Sequence, residues 1–401
     1  MKILLISSAF PPHVFGGGEV AAYNMACLLA NNGHEVSVLT MKEPEEDPVW
    51  GELQPEGFRL FRVKVPRKYT VFKRTDETSG LQKIIWHLQD YFDFRNRLIL
   101  RKVINAVKPD QIDVHNILGF GFNSLKEART VNIPVKFFLH GLDLACFRAS
   151  MFKDSRNCEK QCRPCSLIAK MRQMNLNAAG KVAFIAPSLA PVNRMLPFVP
   201  MLESSPVAII KNVSDKLPSL PKWQSSSVTR MVFAGRLDPV KGIAFLLDVL
   251  SELSEEYAFH IDILGTGPLE SSLREKYSQH QWVTFHGFVS RAEVAKTIAQ
   301  ADLFCMPSLW SEIYGIVTAQ ALQLGTPVIG SNVGGTVYLV RDDVTGVLVP
   351  PGGKQEWKQA LSALLSNPQK LLHLRENALK FCEEFGDASI AKEYDDFAQT
   401  L

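Results

Sequence analysis

Residues 310 to 335 read WSEIYGIVTAQALQLGTPVIGSNVGG, and three of them suit a charged, hydroxyl-rich ligand. Gly315 opens a helical apolar pattern. The free N–H groups and positive end of that helix form a natural anion site, and a glycine there lets a phosphate approach the backbone. Glu312 stands just before the helix and Gln320 eight residues on, in its second turn. Hydroxyl-binding groups on either side of an anion site describe a nucleotide sugar: sugar, diphosphate, ribose, base. The plainer alternative is a surface Glu, a solvated Gln and an ordinary strand-to-helix turn.

Other segments weigh against that alternative. In AGRLDPVKG, residues 234–242, Arg236 and Lys241 lie five apart across a turn that begins at Gly235. A planar guanidinium and a compact ammonium converging on one pocket suit a diphosphate. GTGP, residues 265–268, sets Gly265 and Gly267 after another strand, where a ligand meets backbone. Gly17 and Gly18 precede a helix start and are placed to contact the same diphosphate.

His140 ends VKFFLH, His115 sits in DVHN, and Asp143, three residues beyond His140, is the nearest candidate carboxylate nucleophile. Cys146, Cys158, Cys162 and Cys165 form a cluster open to three readings: structural zinc, a disulfide, or free thiols. The stretch RLFRVKVPRKYTVFKR, residues 59–74, holds seven Lys or Arg and no acid. It reads as a solvated face or as a contact for anionic lipid or a phosphorylated acceptor, and we lean to peripheral membrane contact.

The elements that must carry these residues are legible from periodicity. The apolar run in KILLISS is nearly continuous, as in a strand buried on both faces of a parallel sheet. A helix is predicted from about Glu19 to Asn31, closed by Gly33, and HEVSVLT is the next strand. IDVHN, VKFFLHG, VAFIAPS and VAIIKN continue the alternation of strand and helix. VSDKLPSLPKWQSSSV lacks periodicity and reads as a linker. The alternation then restarts with RMVFAGRL and continues through FHIDILGTGP, VTFHGFV, LFCMPS, PVIGSN and GVLVPP.

The fold class is therefore α/β, with two doubly wound Rossmann-like domains. Such sheets bind ligands beyond the carboxyl ends of their strands, so a cleft between the domains is expected. The first domain is placed at 1–213, the linker at 214–228 and the second domain at 229–385. A terminal helix over 386–401, with Tyr394 and Phe397 three apart, is expected to pack back on the first domain.

At 401 residues the chain is long enough for two cores, and 46% apolar with 21% charged residues fits a globular protein. A net charge of +3 gives no field that would select nucleic acid. The opening apolar run stops at Pro11 and is too short for a signal sequence. No stretch reaches the roughly 18 apolar residues that cross a bilayer. A cytoplasmic location is expected, extending to the inner face of the membrane.

Taken together, PPHVFGGGEVAAYNMACLLANNGHEVSVLT, FFLHGLDLACF, IAPS, AGRLDPVKG, LGTGP, VTFHGFV, PSLWSEIYGIVTAQALQLGTPVIGSNVGG and DDVTGVLVPP resemble a retaining glycosyltransferase of family 4, on the GT-B fold. They occur in the family's order and span about residues 2 to 350. The resemblance implies that Arg236 and Lys241 grip the donor diphosphate and that Glu312 bonds the sugar hydroxyls. Backbone of Ile313, Tyr314, Gly315 and Ile316 would line sugar and phosphates, and His286, Gly287, Phe288 and Val289 would meet the base. His140 would orient the sugar's 6-hydroxyl. The ribose position, Glu in the family, is Gln320 here; a neutral acceptor bonds more weakly than a carboxylate. After the double glycine this chain has Val337–Tyr338 where the family often has Pro–Glu.

The family's favoured route is front-face substitution, in which the departing diphosphate takes the acceptor's proton. Neither metal nor cofactor is required, and no Asp-x-Asp occurs. The expected activity is transfer of a hexose from a UDP-sugar such as UDP-glucose to a saccharide or lipid-linked acceptor. Lys241→Ala is expected to lower turnover far more than stability. Three other readings remain: a glycoside phosphorylase on the same fold, a non-catalytic sugar binder, and a dinucleotide oxidoreductase. FGGGEV and GTGPLE both lack the third glycine that the last would need.

Overall fold

A computed structural model describes residues 1–67, 80–153, 156–213, 223–224, 226–381, 384 and 386–400, and of residues 80–84 and 87 the backbone alone. Residues 68–74 of the basic stretch, and 214–222 and 225 of the expected linker, lie outside the described residues. The chain divides into two compact units. One comprises Met1–Met151, Lys160–Val213 and Asp387–Leu401; the other comprises Phe152–Glu159 and Ser214–Gly386.

The first unit is built on β1 (Lys2–Ser7), β2 (Glu35–Met41), β3 (Val49–Leu53), β4 (Arg59–Val63), β5 (Gln111–Asn116) and β6 (Val135–Phe138). The short hairpin strands β7 (Phe152–Lys153) and β8 (Arg156–Asn157) follow in sequence, and β9 (Val182–Ala186) and β10 (Val207–Ile209) complete the sheet. Its order is β10-β9-β6-β5-β1-β2-β4-β3, parallel except for the β3–β4 edge pair. Ile3, Leu4, Leu5 and Ile6 of β1 are fully buried, as a strand covered on both faces must be.

The Gly17–Asn31 helix follows β1, its start fixed by Glu19, whose carboxylate accepts from Gly16 N–H at 2.9 Å. Gly33, at φ +84°, ends it with a bond to Ala30 O. The Asp387–Ala398 helix packs Ile390, Ala391 and Tyr394 into the same core. Tyr394 O–H donates to Asp113 and accepts from Gln111, while Asp395 accepts from Asn32 and pairs with His34, each at 3.0 Å. Fully buried Lys136 sits 4.0 Å over the Tyr394 ring.

The second unit holds β11 (Thr229–Ala234), β12 (Phe259–Leu264), β13 (Val283–Gly287), β14 (Leu303–Met306), β15 (Val328–Ser331) and β16 (Gly346–Val349). All pairs are parallel, in the order β13-β12-β11-β14-β15-β16. That is the doubly wound order 3-2-1-4-5-6, with β11 and β14 adjacent where the winding reverses. The Ile243–Leu253 helix after β11 buries Ile243, Leu246, Leu247, Val249, Leu250 and Leu253, which fixes β11 and the loop that leaves it.

The basic stretch is not one solvated face. Residues 59–63 form β4, and Arg62 is buried, bonded to Pro11 O and Glu46. Arg67 is buried as well, 2.8 Å from Asp90 and bonded to carbonyls of Gly119 and Trp86. Arg59 and Lys64 are the exposed charges among the described residues of the stretch. A periodicity reading cannot see that a buried charge inside a strand has a partner waiting for it elsewhere in the chain.

Candidate functional site

Beyond the carboxyl ends of β11 and β14, two loops lie against each other. Leu309 N–H donates to Val240 O at 2.9 Å. A Cβ on Gly242, which sits at φ +70°, would fall 1.9 Å from Pro307 O. Only glycine permits this approach. It brings Lys241 Nζ to 2.7 Å from Glu312 Oε1. The same oxygen accepts from Ser308 Oγ at 2.5 Å and Trp310 Nε1 at 2.9 Å, and the ammonium lies 5.5 Å from the Trp310 ring centre.

Glu312 is 5% exposed. Burial pushes its carboxyl up, but the Lys241 charge and the three hydrogen bonds outweigh burial and hold it below the ordinary 4.5. It is thus a fixed carboxylate at neutral pH, and none of the three bonds uses Oε2. Its backbone is equally constrained. Gly335 N–H donates to Glu312 O at 2.5 Å, and a Cβ on Gly334 would lie 2.3 Å from Glu312 N. The Asn157 amide, from β8, accepts from Ser311 N–H at 3.0 Å and donates to Leu309 O at 3.3 Å.

Gly315, at φ +92°, turns the chain into the Ile316–Gln323 helix. The first-turn N–H groups of that helix have no carbonyl within it to bond. Thr318 Oγ1, in that turn, is buried and lacks a hydrogen-bond partner among the described residues. Ile313, Tyr314 and Gln320 are buried, and Ile316 packs partly against the core. Arg236 stays apart from the cluster: its side chain is 68% exposed and its guanidinium pairs with Asp238.

The other glycines serve loop packing. A Cβ on Gly265 would come 2.0 Å from Gly235 O, and one on Gly267 would come 2.4 Å from Leu237 O. Gly265 N–H in turn donates to Gly287 O at 2.8 Å. The loops after β11, β12 and β13 are stacked backbone on backbone, which accounts for these glycines without a ligand. His286 Nε2 lies 2.6 Å from Asp262, Phe288 is 86% exposed, and Val289 packs against the core.

In the first unit His140 follows β6 by two residues. It lies beside Gly18 at the start of the Gly17–Asn31 helix, where a Cβ on Gly18 would be 3.5 Å from His140 Cβ; Gly17 is the first residue of the same helix. His140 Nε2 is 2.7 Å from His115 Nδ1, with the two rings stacked at 4.9 Å and His115 stacked on Phe138 at 3.9 Å. Burial pushes the His140 imidazole down to about 4 and His115 well below its ordinary value. Both rings are neutral at physiological pH.

Burial pushes Asp143 up, partly offset by Arg172, which itself bonds the Asp143 and Cys146 carbonyls. Cys146, Cys158, Cys162 and Cys165 are thiols, with Cys146 and Cys165 sulfurs 3.8 Å apart. Among the described residues no group of three or more His, Cys, Asp or Glu is arranged to hold a metal ion.

The sequence reading named Lys241, Glu312 and Gly315; the structure brings the first two side chains to 2.7 Å and sets Gly315 three residues on, at the helix start. That reading missed Ser308, Trp310 and Asn157. The first two stand four and two residues before Glu312 in PSLWSE, within reach of a carboxylate at that spacing. Asn157 arrives from a segment more than 150 residues away and left no local signal. Also among the described residues, no helix is long and apolar enough to cross a membrane.

Two family models match in tandem. Residues 16–163 match the glycosyl transferase 4-like domain, and residues 223–381 match glycosyl transferases group 1. An uncharacterized glycosyltransferase of Methanocaldococcus jannaschii is 23% identical, over 98% of this chain and 96% of that one. Sucrose-phosphate synthase from Thermosynechococcus elongatus superposes with a TM-score of 0.75 at 19% identity, covering 100% of this chain and 98% of that one. Anabaena HepE, in complex with UDP and glucose, superposes with a TM-score of 0.69 at 17% identity, covering both chains fully.

Proposed function

The chain belongs to the GT-B glycosyltransferases of the family 4 type, and from that premise we propose that it transfers a hexose from a UDP-sugar, such as UDP-glucose, to a saccharide or lipid-linked acceptor with retention of configuration. The observation that carries this reading is the buried Lys241–Glu312 pair at the reversal point of the second sheet, beside the Gly315 helix start. The UDP and glucose bound by the Anabaena neighbour support the choice of donor.

In this reading the donor diphosphate lies against the N–H groups of the Ile316–Gln323 helix. Lys241 has three N–H donors and uses one on Glu312, so it can bond a phosphate oxygen without releasing the carboxylate. Glu312 Oε2 accepts from a sugar hydroxyl. Arg236 leaves Asp238 to meet the diphosphate, a small rearrangement for an exposed side chain. Gln320 takes the ribose hydroxyls and exposed Phe288 offers a face to the base; His140, in the first unit, bonds a sugar hydroxyl.

As the glycosidic C–O bond breaks, negative charge grows on the diphosphate. The ammonium and the helix dipole stabilise it most at the transition state. The leaving diphosphate oxygen takes the acceptor's proton as the new C–O bond forms on the same face. The residues supply charge stabilisation and orientation for this route, and it needs no metal.

The test is a donor panel: thermal shift and UDP- or GDP-release rates with UDP-glucose, UDP-N-acetylglucosamine, UDP-galactose, GDP-mannose and ADP-glucose, with and without chelator. The expected result is a shift and turnover with one UDP-sugar, insensitive to chelator. Binding of inorganic phosphate with phosphorolysis, and no response to any nucleotide sugar, would replace this reading with a phosphorylase.

A further inference from the structure

His115 and His140 form a hydrogen-bonded pair of neutral imidazoles, Nδ1 to Nε2 at 2.7 Å. One nitrogen of that bond must donate and the other accept, so the two tautomers are locked together. The choice between them is set at the far side of His115. Its Nε2 is buried and has no hydrogen-bond partner among the described residues. A proton there would be an orphaned buried N–H, which folded proteins avoid more strictly than an unused lone pair. The proton of His115 therefore belongs on Nδ1, where it has an acceptor. His140 accepts on Nε2 and must carry its own proton on Nδ1.

We propose that His115 is a positioning residue that fixes His140 as the Nδ1–H tautomer, so that His140 meets its ligand as a hydrogen-bond donor and not as a base. The packing supports a fixed geometry: His115 is held by its stack on Phe138, and Gly18 leaves room beside the His140 Cβ. His140 Nδ1 makes no hydrogen bond among the described residues, so its N–H remains available to an oxygen from outside the chain. Its partner is then an oxygen lone pair, such as that of a sugar hydroxyl. The identity of that hydroxyl rests on the function proposed above; the tautomer does not.

The two are separated by one set of variants. In 15N-labelled protein, two-bond imidazole correlations report which nitrogen carries the proton. The expected spectrum shows His140 and His115 both protonated at Nδ1. His115→Phe keeps the stack on Phe138 but removes the donor, and the 15N shift of His140 Nε2 should then move from that of a hydrogen-bonded imine nitrogen toward that of an unbonded one. His115→Asn, whose side-chain amide can occupy the Nδ1 position, should retain Nδ1–H on His140. A wild-type His140 protonated at Nε2, or a His115→Phe spectrum unchanged from wild type, overturns the proposal.

Kinetics complete the test. His115→Phe should lower kcat/KM roughly 10- to 100-fold, as loss of a tautomer-setting partner does, with most of it recovered in His115→Asn. Thermal melts of both variants confirm that folding is retained. The expected spectra with unchanged kinetics would leave the tautomer standing and remove His140 from sugar recognition.

Discussion

Replacing Lys241 by Met removes the ammonium 2.7 Å from Glu312 Oε1 and 5.5 Å from the Trp310 ring centre while keeping an unbranched apolar side chain in its place. Breaking one side of a buried pair costs about 3–5 kcal/mol when the remaining charge stays buried. Here Glu312 keeps its bonds from Ser308 and Trp310, which brings the expected loss to about 2–3 kcal/mol. For a unit of this size that corresponds to a fall in Tm of roughly 4–12 °C.

The loss depends on pH. In the wild type the Glu312 carboxyl is held low, so its stabilisation is present above the ordinary carboxylate range and fades as pH falls through it. Without Lys241, burial dominates and the carboxyl rises above the unfolded value. The folded variant then takes up a proton that the unfolded chain releases, so its penalty grows as pH rises past the ordinary 4.5. The melting difference between wild type and Lys241→Met should be larger at pH 8 than at pH 5. Adding Glu312→Gln to Lys241→Met should recover most of the stability and none of the turnover, which Lys241→Met alone should cut by about 100-fold. A variant that melts within a degree of wild type at both pH values would show that the ammonium does not govern Glu312.

Gly242→Ala should be damaging for a different reason. Its Cβ would lie 1.9 Å from Pro307 O at a φ of +70°, so the two loops must separate; a Tm drop with near-complete loss of UDP binding by calorimetry is expected, and normal binding would show that the loop contact is dispensable. Gln320→Glu places a carboxylate at the ribose position, and a charge-assisted bond should tighten UDP about fivefold. Calorimetry that finds equal or weaker binding would place the ribose elsewhere.

What could be read from the chain follows from the range of each interaction. KILLISS announced β1 because burial on both faces leaves a continuous apolar run. Gly33 marked a helix end because a left-handed cap is a local demand. Lys241, Glu312 and Gly315 were legible because loops at strand ends carry their chemistry in short motifs. Gly265 and Gly267 stood out as ligand contacts, yet they answer to the backbones of Gly235 and Leu237, which no local pattern reveals. Arg62, inside RLFRV, looked like part of a charged surface because its partner Glu46 lies outside the stretch. The His115–His140 bond joins β5 to the loop that follows β6 and depends on the register of the two strands, so neither motif alone contained it.

The placement of Tyr394 bears on how the protein is made. The ring that covers Lys136 and bonds Asp113 belongs to a segment translated some 280 residues after Asp113. Until residues 387 to 398 leave the ribosome, the nascent amino-terminal sheet keeps Asp113 and Lys136 without their lid. All of Ser214–Gly386 emerges before that lid does. Maturation therefore runs against the order of synthesis: the half that starts first is sealed last.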